Sequence, residues 1–166
     1  MKKKFTKELL WGGILGGVFV LSVIVYIFTG AGQVNRVLFF PTEGTMELSG
    51  ELRRVPRRGS DEENIELLVE ELILGPVELS LNPLIPKYTT VRTCMFRDRT
   101  VYLDLSPELI VGKGSVELSV DESLAGVDRT IRFNFPRVED IVFFIDGEMY
   151  DFKPSGMESQ TGLISG

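Results

Sequence analysis

Ser60-Asp-Glu-Glu-Asn-Ile-Glu-Leu-Leu-Val-Glu-Glu-Leu-Ile-Leu-Gly-Pro76 is the stretch whose reading decides the fold. Ser60 and Glu63 have the Ser-x-x-Glu spacing of a helix start, in which side chains satisfy amides that the first turn leaves unpaired. Ile65, Leu68, Val69, Leu72 and Ile73 then recur at i, i+3, i+4, i+7 and i+8, one apolar stripe of a 3.6-residue period. Gly75 and Pro76 close the segment, because glycine takes a left-handed cap conformation and proline cannot continue a helix. An amphipathic helix with one buried face needs a partner layer, and the flanking sequence supplies strands.

Upstream, residues 34–41 carry apolar side chains on both faces near their end, as a buried strand does. Thr42-Glu-Gly-Thr45 makes a turn, and residues 46–55 alternate at Met46, Leu48 and Leu52, which predicts an antiparallel return that Pro56 ends. The arginines 53, 54, 57 and 58 invite an anion-site reading. A solvated loop balanced by Asp61, Glu62 and Glu63 is the plainer one.

Downstream, Asn82-Pro83 and Ile85-Pro86 predict an irregular segment over 79–86, with Leu81, Leu84 and Ile85 tucked beneath the domain. Residues 91–96 and 100–105 read as a hairpin about Arg97-Asp-Arg99, with Val101, Leu103 and Leu105 on one face and Tyr102, Asp104 and Ser106 on the other. A helix start fits at Ser106-Pro-Glu108. From Ser115, the series Val116, Val120, Leu124, Val127, Ile131 and Phe135 predicts a second amphipathic helix over 115–133, although Gly126 and the β-branched residues weaken it. Pro136 stops that helix. Residues 138–145 follow as a last buried strand ending at the turn Asp146-Gly147.

The amino terminus is of another kind. Lys2, Lys3, Lys4 and Lys7 precede residues 9–30, which hold no charge and are long enough for a helix across a hydrocarbon core of about 30 Å. This predicts a cytoplasmic basic stub (1–8), an uncleaved transmembrane signal anchor (9–30) and an exported domain. The expected location is the bacterial cytoplasmic membrane, single-pass, with the N-terminus inside. A cleaved signal peptide at Thr29-Gly-Ala31 is the rival, with an apolar region usually of about 7 to 15 residues. Gly12, Gly13, Gly16 and Gly17 form two overlapping Gly-xxx-Gly pairs, which permit helix pairing in lipid. The sole cysteine, Cys94, lies too deep in the chain to carry an N-terminal lipid and has no partner for an intramolecular disulfide.

Of 166 residues, 18 are basic and 24 acidic. Four of the basic ones sit in the stub, so the domain is more acidic still, which disfavours nucleic acid and anionic lipid as ligands. About 120 residues, 34–152, suffice for one core. The polar, Gly/Ser-rich stretch 153–166 is expected to be disordered.

The order of motifs resembles a known family. Leu38-Phe-Phe with Glu51-Leu-Arg-Arg-Val55, the helix ending Leu74-Gly-Pro76, Ile85-Pro86, Val101-Tyr-Leu-Asp-Leu-Ser106, Arg129-Thr-Ile131, Phe135-Pro-x-Val138 and Phe143-Phe-Ile-Asp-Gly147 are together similar to the GerM-type (GerMN) domain of sporulation and spore germination proteins. The resemblance implies a compact α+β domain like the ring-building motifs of secretion and sporulation channels. In that fold, two amphipathic helices lie on one face of a small mixed or antiparallel sheet, here preceded by the transmembrane helix. It also implies a non-catalytic, exported assembly module whose partners are envelope proteins and copies of itself, with wall polymer a further candidate and no cofactor. This chain departs from the family's sporulation protein in having one such domain rather than a tandem pair, a membrane helix in place of a lipid anchor, and Thr130-Ile131 where Thr-Leu is usual.

The motif residues read as structural. Gly75, Pro76, Pro86, Pro136 and Gly147 punctuate turns and helix ends, with Asp146 in the last turn. Thr130 can bond a carbonyl one helical turn back. Ser106 is expected to cap the Pro107 turn, and Asp104 to accept hydrogen bonds nearby. No histidine exists in the chain, so histidine triads and histidine metal sites are impossible. Gly112-Lys-Gly-Ser115 lacks the spacing of a phosphate loop. The enzyme alternative is a hydrolase, or binder, of wall polysaccharide using two carboxylates, Asp104 with Glu108 or Asp146.

Overall fold

The computed structural model describes residues 2–29, 32–45, 47–112 and 118–153. They fall into two units divided after Gly32. The first holds α1 (Lys2–Thr29), whose described side chains, 10–23, are all exposed. Among the described residues no helix is long and apolar enough to cross a membrane. The transmembrane helix expected over 9–30 is corrected on that finding, and with it the single-pass, N-terminus-inside placement. The physical requirement for a span is about 20 predominantly apolar residues in one helix. The rival reading's cleavage point at Ala31 and the tail from Pro154 onward lie outside the described residues.

In the second unit, β1 (Gln33–Pro41) and β2 (Leu48–Pro56) pair antiparallel in unbroken register from Gln33 opposite Pro56 to Pro41 opposite Leu48. Helix α2 (Asp61–Leu74) follows, and its predicted stripe of Ile65, Leu68, Val69, Leu72 and Ile73 is wholly buried. The Ser60 hydroxyl accepts from the Glu63 amide at 3.1 Å, while the Glu63 carboxylate reaches Gly59 N at 3.0 Å. Asn64 bonds both the amide and the carbonyl of Arg58 and so fixes the approach to the helix.

The irregular segment keeps Leu81, Leu84 and Ile85 buried. Strands β3 (Val91–Arg97) and β4 (Thr100–Leu105) form the expected hairpin, turning through Asp98 and Arg99 at φ 49° and 66°. A short α3 (Glu108–Val111) and then α4 (Val120–Asn134) lead to β5 (Asp140–Ile145), which lies parallel to β4, and to a two-residue β6 (Glu148–Met149). The second helix therefore begins at Val120, where Ser119 and Glu122 make a full capping box. Residues 115–117 of the expected helix lie outside the described residues. Strand β6 was not foreseen; Asp146 and Gly147, at φ 56° and 81°, turn the chain back onto β5.

The expectation of one small sheet with both helices on one face is also corrected. Among the described residues there are two sheets, β1-β2 and the mixed β3-β4-β5-β6. Helix α2 packs against both β3 and β1, whereas α4 packs against β1. Leu38, Phe40, Leu68, Leu72, Leu103, Leu105, Leu124, Ile131 and Phe143 join the elements in one core.

Candidate functional site

Strand β1 has α4 along its outer edge. The Thr130 hydroxyl donates to the Gly126 carbonyl at 2.8 Å, one turn back, and accepts from the Phe39 amide at 3.1 Å. One turn further, Asn134 Oδ1 accepts from Val37 N at 3.1 Å and Asn134 Nδ2 donates to Val37 O at 2.6 Å. Four helical residues rise about 6.0 Å and two strand residues about 6.6 Å, so side chains at i and i+4 can stand where a neighbouring strand would present its peptides. This clamp occupies the β1 edge at which a further strand would pair. Thr130 was singled out for its helical bond alone; its bond to Phe39 and the whole role of Asn134 had no local signal.

A second node joins β2 to the end of α2. Glu51 accepts from Val77 N at 2.8 Å and Glu78 N at 3.0 Å and is paired with Arg53. Arg53 also reaches Glu71 Oε2 at 3.0 Å and the Gly75 carbonyl at 2.9 Å. Burial opposes charge on Glu51, but the amides of Glu78 and Val77 and the Arg53 guanidinium outweigh it and hold its carboxyl below the ordinary range. Arg53 is thus internally committed rather than presented to an anion. Gly75 supplies the bend at φ 87° and ψ 175°, with Pro76 following.

The carboxylates considered for hydrolysis lie elsewhere. Asp104 accepts from Gly147 N at 3.1 Å, and Arg92 ion-pairs with Asp146 and stands 3.8 Å from Asp104. Asp104 and Asp146 therefore share a cation at the β4 and β5 ends, tying the Asp146-Gly147 turn to β4. Glu108 is not hydrogen-bonded to either among the described residues. The Ser106 hydroxyl and the amide of Glu108 itself hold the Glu108 carboxyl below its ordinary value. A general acid needs the opposite shift. Ser106 does not cap α3, since Pro107 occupies that position; its hydroxyl accepts from Thr90 N at 3.0 Å. Pro86 is buried against Gly112, where a Cβ would come within 2.8 Å of it, and Pro136 follows α4 at the surface.

Cys94 is buried and its thiol is pushed up to about 12 by burial, with smaller effects from Glu66 and Glu62. Among the described residues no group of three or more His, Cys, Asp or Glu is placed to hold a metal.

The fold and the node residues define a small α+β domain. The family model for sporulation and spore germination, Germane, matches residues 37–151, and the chain belongs to that family. Two solved Bacillus subtilis structures share the fold. The first GerMN domain of the sporulation protein GerM is 20% identical, with 70% of this chain and 86% of that one covered at a TM-score of 0.53. The tandem GerMN domains of GerM are 18% identical at a TM-score of 0.58, covering 72% of this chain and 41% of the tandem, as one copy against two. A Clostridium perfringens structure is 28% identical over 73% of this chain and 80% of its own, with a TM-score of 0.47. No curated protein matches the sequence.

Proposed function

We propose that this chain is a non-catalytic protein-binding module used in assembly within the sporulation and germination family. The observation that carries the reading is the occupation of Asp104 and Asp146 by Arg92 and the Gly147 amide, with Glu108 shifted away from acid catalysis. The family's motif residues serve the fold, and Leu52, Leu74, Val77, Leu79 and Tyr88 remain exposed for contact. The test incubates the full chain with purified cell-wall sacculi and measures released muropeptides, beside in-cell cross-linking that identifies bound proteins by mass. The expected result is release no greater than buffer and a reproducible cross-linked protein. Muropeptide release abolished by Asp104→Ala in a folded chain overturns the proposal.

A further inference from the structure

The two faces of the β1-β2 pair differ. Leu38 and Phe40 point into the core, so Val37 and Phe39 stand on the opposite face with their register partners Leu52 and Gly50. This outer face is apolar and continuous. A Cβ on Gly50 would lie 2.8 Å from Val37 Cγ1 and 3.4 Å from Phe39 Cε1, and Phe133 of α4 meets Phe39 edge-on with ring centroids 5.4 Å apart. Leu52 and Phe133 are 68% and 59% exposed. Two arginines flank them: Arg129 stands over the Phe39 ring at 4.3 Å, and Arg54 lies on the Leu52 face of β2, opposite Asn35. Both are exposed, and among the described residues neither has an ion pair, whereas Arg53, Arg99 and Arg132 are held by Glu71, Glu139 and Asp128. The strands place no carboxylate on this face, and Glu122, two turns before Arg129, is held by Ser119.

The outer stripe of α2 has the complementary chemistry. Glu63, Leu67, Glu70 and Leu74 recur at i, i+4, i+7 and i+11 away from the buried stripe, with Glu66 beside them. Among the described residues Glu66 and Glu70 have no ion pair. Helix α2 packs on the core side of β1, so this stripe cannot reach the outer face of β1-β2 within one copy. We infer that the outer face receives the α2 stripe of a second copy, Arg54 and Arg129 taking its carboxylates and Val37, Leu52 and Phe133 its leucines; the inference rests on the protein-binding reading above. The lengths agree: Glu63 and Glu70 lie two turns, about 10.5 Å, apart with Leu67 between them, and the levels of Asn35 and Phe39 are about 13 Å apart along β1. Arginine and glutamate side chains are long enough to close the difference. A charged rim around an apolar centre sets both orientation and register. The contact is heterologous, because each copy keeps one surface of each kind free, so further copies add head to tail.

The test follows sedimentation of the full chain in mild detergent, with circular dichroism to check folding. Arg54→Glu with Arg129→Glu is one set of reversals, and Glu66→Lys with Glu70→Lys is the other. Each set alone is expected to weaken association about tenfold or more, and the chain carrying both sets to recover it, because opposite charges then face each other again. The helix set separates docking from general repulsion: it makes the chain less acidic, which by itself strengthens association between like-charged copies. The native chain gives a second reading, since the contact is expected to weaken as salt rises. Association unchanged by either set, no recovery when the sets are combined, or native association undiminished in high salt overturns the docking. In each case a cross-linked protein of different mass leaves the protein-binding reading standing, whereas muropeptide release removes that reading independently.

Discussion

Thr130 shows how much one hydroxyl can hold. It is fully buried, and its oxygen satisfies Phe39 N while its proton satisfies Gly126 O. Thr130→Val keeps the shape but strands the Phe39 amide, so we expect a loss of about 1 to 3 kcal/mol in urea unfolding. Thr130→Ser, which retains the hydroxyl, loses less. Glu51 ties stability to pH. Because its folded carboxyl lies below its unfolded value, its contribution is complete above the ordinary carboxylate range and is lost as pH falls through the lowered value. Unfolding of the native chain and of Glu51→Gln, followed from pH 7 to pH 3, is expected to differ most at neutral pH and to converge in acid. Parallel curves at all pH values contradict the assignment.

At the scale of elements, termini are set by local chemistry and positions by distant contacts. Gly75 ends α2 in a backbone region that only glycine occupies readily, and it offers its carbonyl to Arg53. Gly75→Ala has open space for its Cβ, so the cost is backbone strain alone, about 1 to 3 kcal/mol by thermal or chemical unfolding. Gly126 is different: it lies inside α4, and a Cβ there would come within 2.5 Å of the buried Leu84 side chain. The weak spot that helix propensity marks is a close approach that packing requires. The stripe of α2 and the alternation of β4 were legible because burial follows one period within each element. The start of α4 was legible in Ser119 and Glu122, yet the longer apolar series starting at Val116 obscured it.

For the whole molecule, the proposed binding without catalysis has a direct consequence. Asp104→Ala combined with Glu108→Ala is expected to fold, to lose about 1 kcal/mol from the Gly147 bond, and to bind partners as the native chain does. Circular dichroism, unfolding and partner cross-linking check the three parts. Lost cross-linking with folding retained places partner contact at those carboxylates.

The sequence by itself determined the order of elements from β1 to β5, the α+β class, the faces of α2 and β4, the turns at Gly75 and Asp146-Gly147, and the family. Each of these follows from local periodicity, from backbone preferences, or from motifs in a fixed order. Only the tertiary structure decided that there are two sheets, that α4 substitutes for a strand beside β1, that Arg53 is enclosed with Glu51, and that Asp104 and Asp146 share Arg92. Those pairings join residues up to 98 positions apart, as with Arg36 and Asn134. The physical reason is that a polar side chain carries no local mark of its partner: its burial and hydrogen bonds are settled when distant elements pack.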